Sequence, residues 1–246
     1  MIERPLHTAR LVREEWLSVA SETKHLVFAI EDLQHFEFTA GQFISLVAPK
    51  GEKTMTRAYS LASAPRNNEF DLCLNRVEGG FFSNLLCDMK EGQTVKLHGP
   101  HGTFVLRSPL RDSLLIATGT GIAPIRGFVQ WLFANESHHQ GKEIYLVYGT
   151  RYPTDIYYKD FFDLIAHDFS NFHYIVTLSR AADDWKGARG YVQEHVRQIV
   201  EARAESERKN MDAYICGLNN MVSANRKMLK EELGWDRKQI IFERYD

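Results

Sequence analysis

Leu114-Leu115-Ile116-Ala117-Thr118-Gly119-Thr120-Gly121-Ile122-Ala123-Pro124-Ile125 reads as a buried strand, a glycine turn and the start of a helix. Four apolar residues in a row fit a strand covered on both faces. Ile125, Phe128, Val129, Leu132 and Phe133 then recur at helical spacing. Pro124 suits a first helical turn, where a missing N–H costs nothing. Glycines before a helix let the backbone approach a pyrophosphate, and the helix N-terminus turns unpaired N–H groups toward it. A tight strand–helix turn with no ligand would use the same residues.

The alternation continues outward from there. Strand-like runs at Ile144–Tyr148, His173–Leu178, Ala213–Cys216 and Gln239–Glu243 alternate with helical patterns at Tyr157–Ala166, Tyr191–Ala204 and Asn219–Leu233. This pattern predicts a doubly wound, five-stranded parallel sheet. Before Arg107 the rhythm is different. Short runs at Leu26–Ile30, Phe43–Val47, Arg57–Leu61, Phe70–Val77 and Thr94–His98 are punctuated by Ala40-Gly41, Ala64-Pro65, Gly79-Gly80, Glu91-Gly92 and Gly99-Pro100. They predict a six-stranded antiparallel barrel with one short helix near Phe82–Asp88. With a boundary at Ser108–Arg111, the expected domains are 1–108 and 109–246.

Composition narrows the function classes. The 246 residues are 44% hydrophobic and 25% charged, with net charge −2. Nothing in that balance points to nucleic acid or an anionic membrane. No apolar run reaches membrane length, and Met1–Pro5 carries no apolar signal core, so a cytoplasmic protein is expected. The three cysteines, Cys73, Cys87 and Cys216, form no Cys-x-x-Cys pair and cannot build a four-cysteine cluster. The ten histidines have no convincing ligand spacing, so no metal site is expected. The charged stretch Glu201–Asn210 reads as a solvated helix end.

The barrel half holds a second candidate clamp. Arg57-Ala58-Tyr59-Ser60-Leu61-Ala62 puts an Arg, an aromatic and a hydroxyl on one strand, and Gly79-Gly80-Phe81-Phe82-Ser83 opens a helix. Arg and helix N-terminus suit a phosphate, and Tyr59 suits either a flat ring system or the core.

Together these motifs resemble the ferredoxin–NADP reductase superfamily, over nearly the whole chain from about residue 5. Arg-x-Tyr-Ser stands at Arg57, Tyr59 and Ser60. The segments Phe82–Gly92 and Val95–Gly102 resemble the plant-type enzymes in particular, as does Cys216-Gly217-Leu218-Asn219-Asn220-Met221. Glu243-Arg244-Tyr245 matches an acidic residue followed two positions later by an aromatic. The resemblance implies an FAD set of Arg57, Ala58, Tyr59, Ser60, Asn75, Arg76, Val77, Gly79, Gly80, Phe81, Phe82, Ser83 and Tyr245. The NADP set is Thr118, Gly119, Thr120, Gly121, Pro124, Arg151, Ser179, Arg180, Lys186, Arg189, Tyr191, Cys216, Gly217, Leu218 and Met221. It also implies roles. Arg57 and Gly80–Ser83 hold the FAD pyrophosphate, and Tyr59 packs on the isoalloxazine. Ser60 hydrogen-bonds near flavin N5, in a proton-linked network with Glu243. Cys216 sits beside the reacting nicotinamide carbon, and Tyr245 shields the flavin. Without its neighbours, Cys216 reads as a small strand-end filler.

Selection of NADP needs cationic and hydroxyl donors after a strand end, and Ser179-Arg180, Lys186, Arg189 and Tyr191 stand at the spacing of the plant-type enzymes, with Arg151 nearby. Two features depart from the pattern. The hairpin between Val77 and Gly79 is cut to Glu78, which predicts a different pose for the FAD adenine and leaves FMN open. Asp246 extends one residue past the shielding aromatic. The activity implied is electron transfer between NADP(H) and a separate ferredoxin or flavodoxin, by a monomer. The other readings are a reductase component of an oxygenase, a flavin or quinone reductase, and a non-enzymatic, nucleotide-responsive flavoprotein subunit. Charges up to Arg107 are nearly balanced, so no docking face shows in the composition of the barrel half.

Overall fold

The computed structural model describes residues 5–245. The expectation for the leader at Met1–Pro5 falls almost wholly outside them, and that for Asp246 wholly outside. The chain forms two compact units. One comprises the chain up to Leu106 together with Arg126–Trp131, the other Arg107–Ile125 with the chain from Leu132 on.

The first unit is built on β1 (His7–Ser18), β2 (Thr23–Ile30), β3 (Phe43–Lys50), β4 (Lys53–Ser60), β5 (Glu69–Asn75) and β6 (Thr94–His101). They form one antiparallel sheet in the order β4-β3-β6-β1-β2-β5. A bridge between Leu61 and Leu72 joins the end of β4 to β5, curling the sheet's two edges together. Alternate residues of each strand point inward, as a two-residue period demands. Leu26, Phe28 and Ile30 of β2 meet Phe70, Leu72 and Leu74 of β5, and Phe28 stacks on Phe70 at 5.5 Å. Helix α1 (Phe81–Asp88) turns Phe82, Leu86 and Cys87 into this core. The five strand runs and the helix stand where the sequence put them. The first strand, β1, was not among the runs. Register shifts between Leu11 and Arg13 and between Trp16 and Ser18 break its alternation, so its charged sequence shows no period of two.

The second unit alternates strand and helix. In chain order come β7 (Asp112–Thr118), α2 (Ile122–Leu132, of which Arg126–Trp131 count with the first unit), α3 (Glu136–His139), β8 (Ile144–Thr150), α4 (Lys159–Asp168), β9 (Phe172–Leu178), β10 (Ala188–Arg189) and α5 (Val192–Glu201). α6 (Glu205–Arg208), β11 (Met211–Leu218), α7 (Asn219–Lys227) and β12 (Ile240–Tyr245) complete it. The sheet is parallel in the order β10-β9-β8-β7-β11-β12, six strands rather than the expected five. The extra strand, β10, is two residues between glycines, too short and too polar to mark itself. The expected helix at Asn219–Leu233 also changes character: after Lys227 it widens into a π-type turn over Met228–Glu232. Among the described residues no helix is long and apolar enough to cross a membrane.

Candidate functional site

The sheet order of the second unit locates a crevice before any side chain is considered. From β7 the chain fills one side of the sheet through β8, β9 and β10, then returns to the other side through β11 and β12. The order reverses between β7 and β11, and such switch points, at the carboxyl ends of the strands, are where open parallel sheets bind ligands. Thr118–Gly121 ends β7 there, and Cys216–Leu218 ends β11 beside it. Two glycines let these ends lie in contact. A Cβ on Gly121 would stand 2.3 Å from the Cys216 carbonyl oxygen, and one on Gly217, whose φ is +145°, would stand 2.5 Å from Thr118 Oγ1.

The turn is shaped for a ligand. Gly119 has φ +54°, and the space where a Cβ would stand is open. The buried ring of Tyr148 on β8 donates its hydroxyl proton to the Gly119 carbonyl at 3.1 Å, which fixes the turn from below. Thr118 Oγ1 is buried and has no hydrogen-bond partner among the described residues. Thr120 lies between the two turn glycines, and Pro124 sits buried in the first turn of α2. A glycine cradle at a helix start, with an unsatisfied hydroxyl in it, fits a dinucleotide pyrophosphate.

Cys216 is fully buried and pairs in register with Glu243 of β12. Burial, with the Glu243 carboxylate next to it, pushes its thiol well above the usual range, and the Tyr245 hydroxyl pulls only partly back. The thiol is therefore neutral at physiological pH. Leu218 is 61% exposed at the N-cap of α7, and Met221 packs against the core of the unit.

The cationic set divides. Ser179 closes β9 onto β8 through its N–H to the Thr150 carbonyl at 3.0 Å, and the Arg180 N–H reaches the Arg151 carbonyl at 3.1 Å. The exposed Arg180 side chain donates to the Tyr152 hydroxyl at 3.3 Å. Tyr191 is 63% exposed at the N-cap of α5. Among the described residues Arg151 and Lys186 are exposed and in no ion pair. Arg189 is engaged otherwise: its guanidinium donates to the carbonyls of Ala181, Ala182, Asp183 and Trp185. These bonds hold the loop together. Tyr148 and Tyr152 were not among the sequence candidates, because a strand tyrosine and a loop tyrosine carry no mark of what they reach.

In the first unit, Arg57 and Ala58 lie exposed on β4, and Ser60 is buried at its end. Tyr59 packs half-buried on the barrel core. Burial pushes its hydroxyl up to about 12, against the pull of the neighbouring Arg57 charge. The shortened hairpin is a tight turn closed by the Gly80 N–H on the Val77 carbonyl at 2.9 Å, with Gly79 at φ +68°. Gly80 is the N-cap of α1 and offers no side chain to the N–H groups of the first turn. A Cβ there would stand 2.4 Å from Ser83 Oγ. That hydroxyl accepts from the Val77 N–H at 3.2 Å, so it braces the turn. Phe81 and Phe82 pack edge to face at 5.0 Å. Asn75 donates to the Arg76 carbonyl at 3.1 Å. Arg76 meets Asn84 at 2.8 Å, Asp88 at 2.6 Å and Glu22 at 3.0 Å, and so ties α1 to the barrel. The exposed Arg beside a tyrosine ring and the uncapped helix start fit a flavin nucleotide.

Comparison with known proteins agrees with both halves. Residues 9–106 match the oxidoreductase FAD-binding domain and residues 115–227 the oxidoreductase NAD-binding domain. Ferredoxin–NADP reductase B of Sorangium cellulosum is 39% identical over 251 residues, covering 100% of both chains. The phenol 2-monooxygenase reductase component DmpP of a Pseudomonas species is 32% identical, over 85% of this chain and 58% of its own. The crystal structure of the Amycolatopsis cytochrome P450 reductase GcoB superposes with a TM-score of 0.82 at 26% identity, covering 99% of this chain and 71% of that one. A glycine cradle at the switch point, an uncapped helix start and an exposed arginine beside a tyrosine in the first unit, and these likenesses, have one reading: the chain belongs to the ferredoxin–NADP reductase family of FAD- and NADP(H)-dependent oxidoreductases.

Proposed function

We propose that this enzyme passes electrons between NADP(H) and a separate one-electron carrier protein, a ferredoxin or a flavodoxin. The observation that carries the NADP part is Arg180, held beside the Tyr152 hydroxyl at the end of β9 with Ser179 next to it. A guanidinium and a hydroxyl at a strand end suit the 2′-phosphate that distinguishes NADP from NAD. The carrier part is supported by the full-length likeness to the Sorangium protein.

Bound FAD supplies the exchange between a two-electron hydride and single electrons. The rest is positioning by this chain. Arg57 would neutralise the FAD pyrophosphate, and the first-turn N–H groups of α1 would share that charge. The Tyr59 ring would pack against the flavin ring system, and Ser60 would supply a hydroxyl beside it. Thr118–Gly121 cradles the NADP pyrophosphate. Buried and neutral, the Cys216 thiol sets how near the nicotinamide carbon can come without taking charge or forming a bond. Glu243 and Tyr245, on the strand beside it, supply a carboxylate for proton exchange and an aromatic shield.

A second reading, the reductase component of an oxygenase, is supported by the likenesses to DmpP and GcoB. The deciding experiment is the visible spectrum of the purified protein, followed by anaerobic mixing with NADPH and separately with NADH. A yellow protein bleached much faster by NADPH is expected. A colourless protein would overturn tight FAD binding, and a preference for NADH would move the oxygenase reading to first place.

A further inference from the structure

Apart from these clamps, the second unit holds a cavity of about 250 Å³ between α7, the π-type turn and β12. Arg226, Lys227, Lys230 and Arg237 line it against a single carboxylate, Glu231, which leaves three positive charges uncompensated. Its apolar side is the ring of Phe242, with the Arg226 guanidinium carbon 3.8 Å from the ring centroid.

This concentration of charge is unlike the rest of the chain. Several other half-buried arginines are neutralised: Arg66 and Arg126 by Asp71, Arg76 by Glu22 and Asp88, Arg203 by Asp112. Among the described residues the four cations of the cavity are in no ion pair, and neither is Glu231. Glu232, the next carboxylate, is turned onto Arg197 instead. Arg244, over the same ring at 5.4 Å, adds a further cation. Burial, with the charges of Arg244 and Arg237 close by, lowers the Arg226 pKa. Net charge over the whole chain is −2, so the excess is local.

We propose that this cavity binds a compact, multiply charged phosphate, such as pyrophosphate or a small phosphate ester, as a second anion site. Two arginines supply planar forks for phosphate oxygens, and two lysines supply point charges. It differs from the 2′-phosphate set by position: in the sheet order, β12 lies four strand spacings from β9, about 19 Å. The concave shape favours a small anion over the carboxylates of an acidic protein surface, which would sooner meet cations on a convex face.

The test is calorimetric titration of the FAD-loaded protein, saturated with NADP(+), with inorganic pyrophosphate. One site is expected, weakened at least tenfold in an Arg226→Ala/Lys230→Ala variant and unchanged in Arg180→Ala. A Lys227→Ala/Lys230→Ala pair, both exposed, guards against a folding defect and should also weaken binding. No heat in the saturated wild-type protein, or equal affinity in the variants, would overturn the proposal. So would variants that bind pyrophosphate normally but lose affinity for an acidic carrier protein, which would make the patch a docking surface. Because the readout is heat of binding, a failed reductase reading, seen as unchanged flavin spectra with NADPH, remains separable from a failed anion site.

Discussion

Arg180 and Arg189 illustrate how far a residue's identity goes. Both are exposed arginines after β9, and the sequence assigned both to the 2′-phosphate of NADP. In the structure Arg180 rests on one tyrosine hydroxyl, while Arg189 is occupied by four loop carbonyls. Different effects follow on substitution. Losing one charge-assisted phosphate contact costs roughly 1.5–3 kcal/mol, or about 10–100-fold. Arg180→Ala should therefore raise the KM for NADPH by about that factor and leave the KM for NADH nearly unchanged. Arg189→Ala should weaken both nucleotides together, because it loosens the loop rather than deleting a contact. Steady-state kinetics with both nucleotides checks this, and equal effects of Arg180→Ala on the two would sink the assignment. Residue type was legible in the sequence here, but partner was not, since a guanidinium serves carbonyls and phosphates with the same five donors.

At the scale of elements, the pairing of β2 with β5 buries charge in the barrel. His25 on β2 is 2% exposed, with Nε2 3.6 Å from the fully buried Asp71 of β5. Asp71 also takes Arg66 at 2.5 Å and Arg126 at 2.9 Å. Burial pushes His25 down to about 4, with Asp71 pulling back and the arginines adding to the fall. The imidazole is thus neutral when folded, whereas an unfolded chain protonates it near 6.5. The folded state gains from this above pH 6.5 and loses it as pH falls toward 4, by roughly 2–3 kcal/mol. Thermal unfolding midpoints should fall over that window for the wild type and fall less for His25→Gln. Parallel curves for the two proteins would show that His25 carries no such linkage. None of this was visible in the sequence, because a histidine in an apolar run does not reveal which carboxylate a neighbouring strand brings to it. The strand runs themselves were legible, because period and turn residues are local. β1 and β10 were missed because a bulge and a two-residue pairing leave no local period.

For the molecule as a whole, each unit has its own apolar core, around Phe28 and Phe70 in the first and around Ile116, Ile215 and Val222 in the second. A ligand that binds only the folded state stabilises by about 2.7 kcal/mol at a hundredfold excess over its dissociation constant. Stripping FAD should therefore lower the unfolding midpoint by several degrees, with recovery on adding it back. A midpoint indifferent to FAD in calorimetry would count against the clamp on β4 and α1. By itself the sequence determined the fold class, the two halves and the motifs at Arg57–Ser60, Gly79–Ser83, Thr118–Gly121 and Cys216–Met221, because alternation, glycine turns and helix starts are short-range properties of the chain. Only the tertiary structure decided which charges were spent on the fold and which were left over. Arg76 and Arg189 became braces, Arg180 stayed exposed, Cys216 became a neutral thiol, and four cations came together around a cavity with one carboxylate and no ion pair among them. Charge neutralisation and desolvation depend on which groups meet in space, and residues such as Arg226 and Phe242 meet only once α7 and β12 pack together.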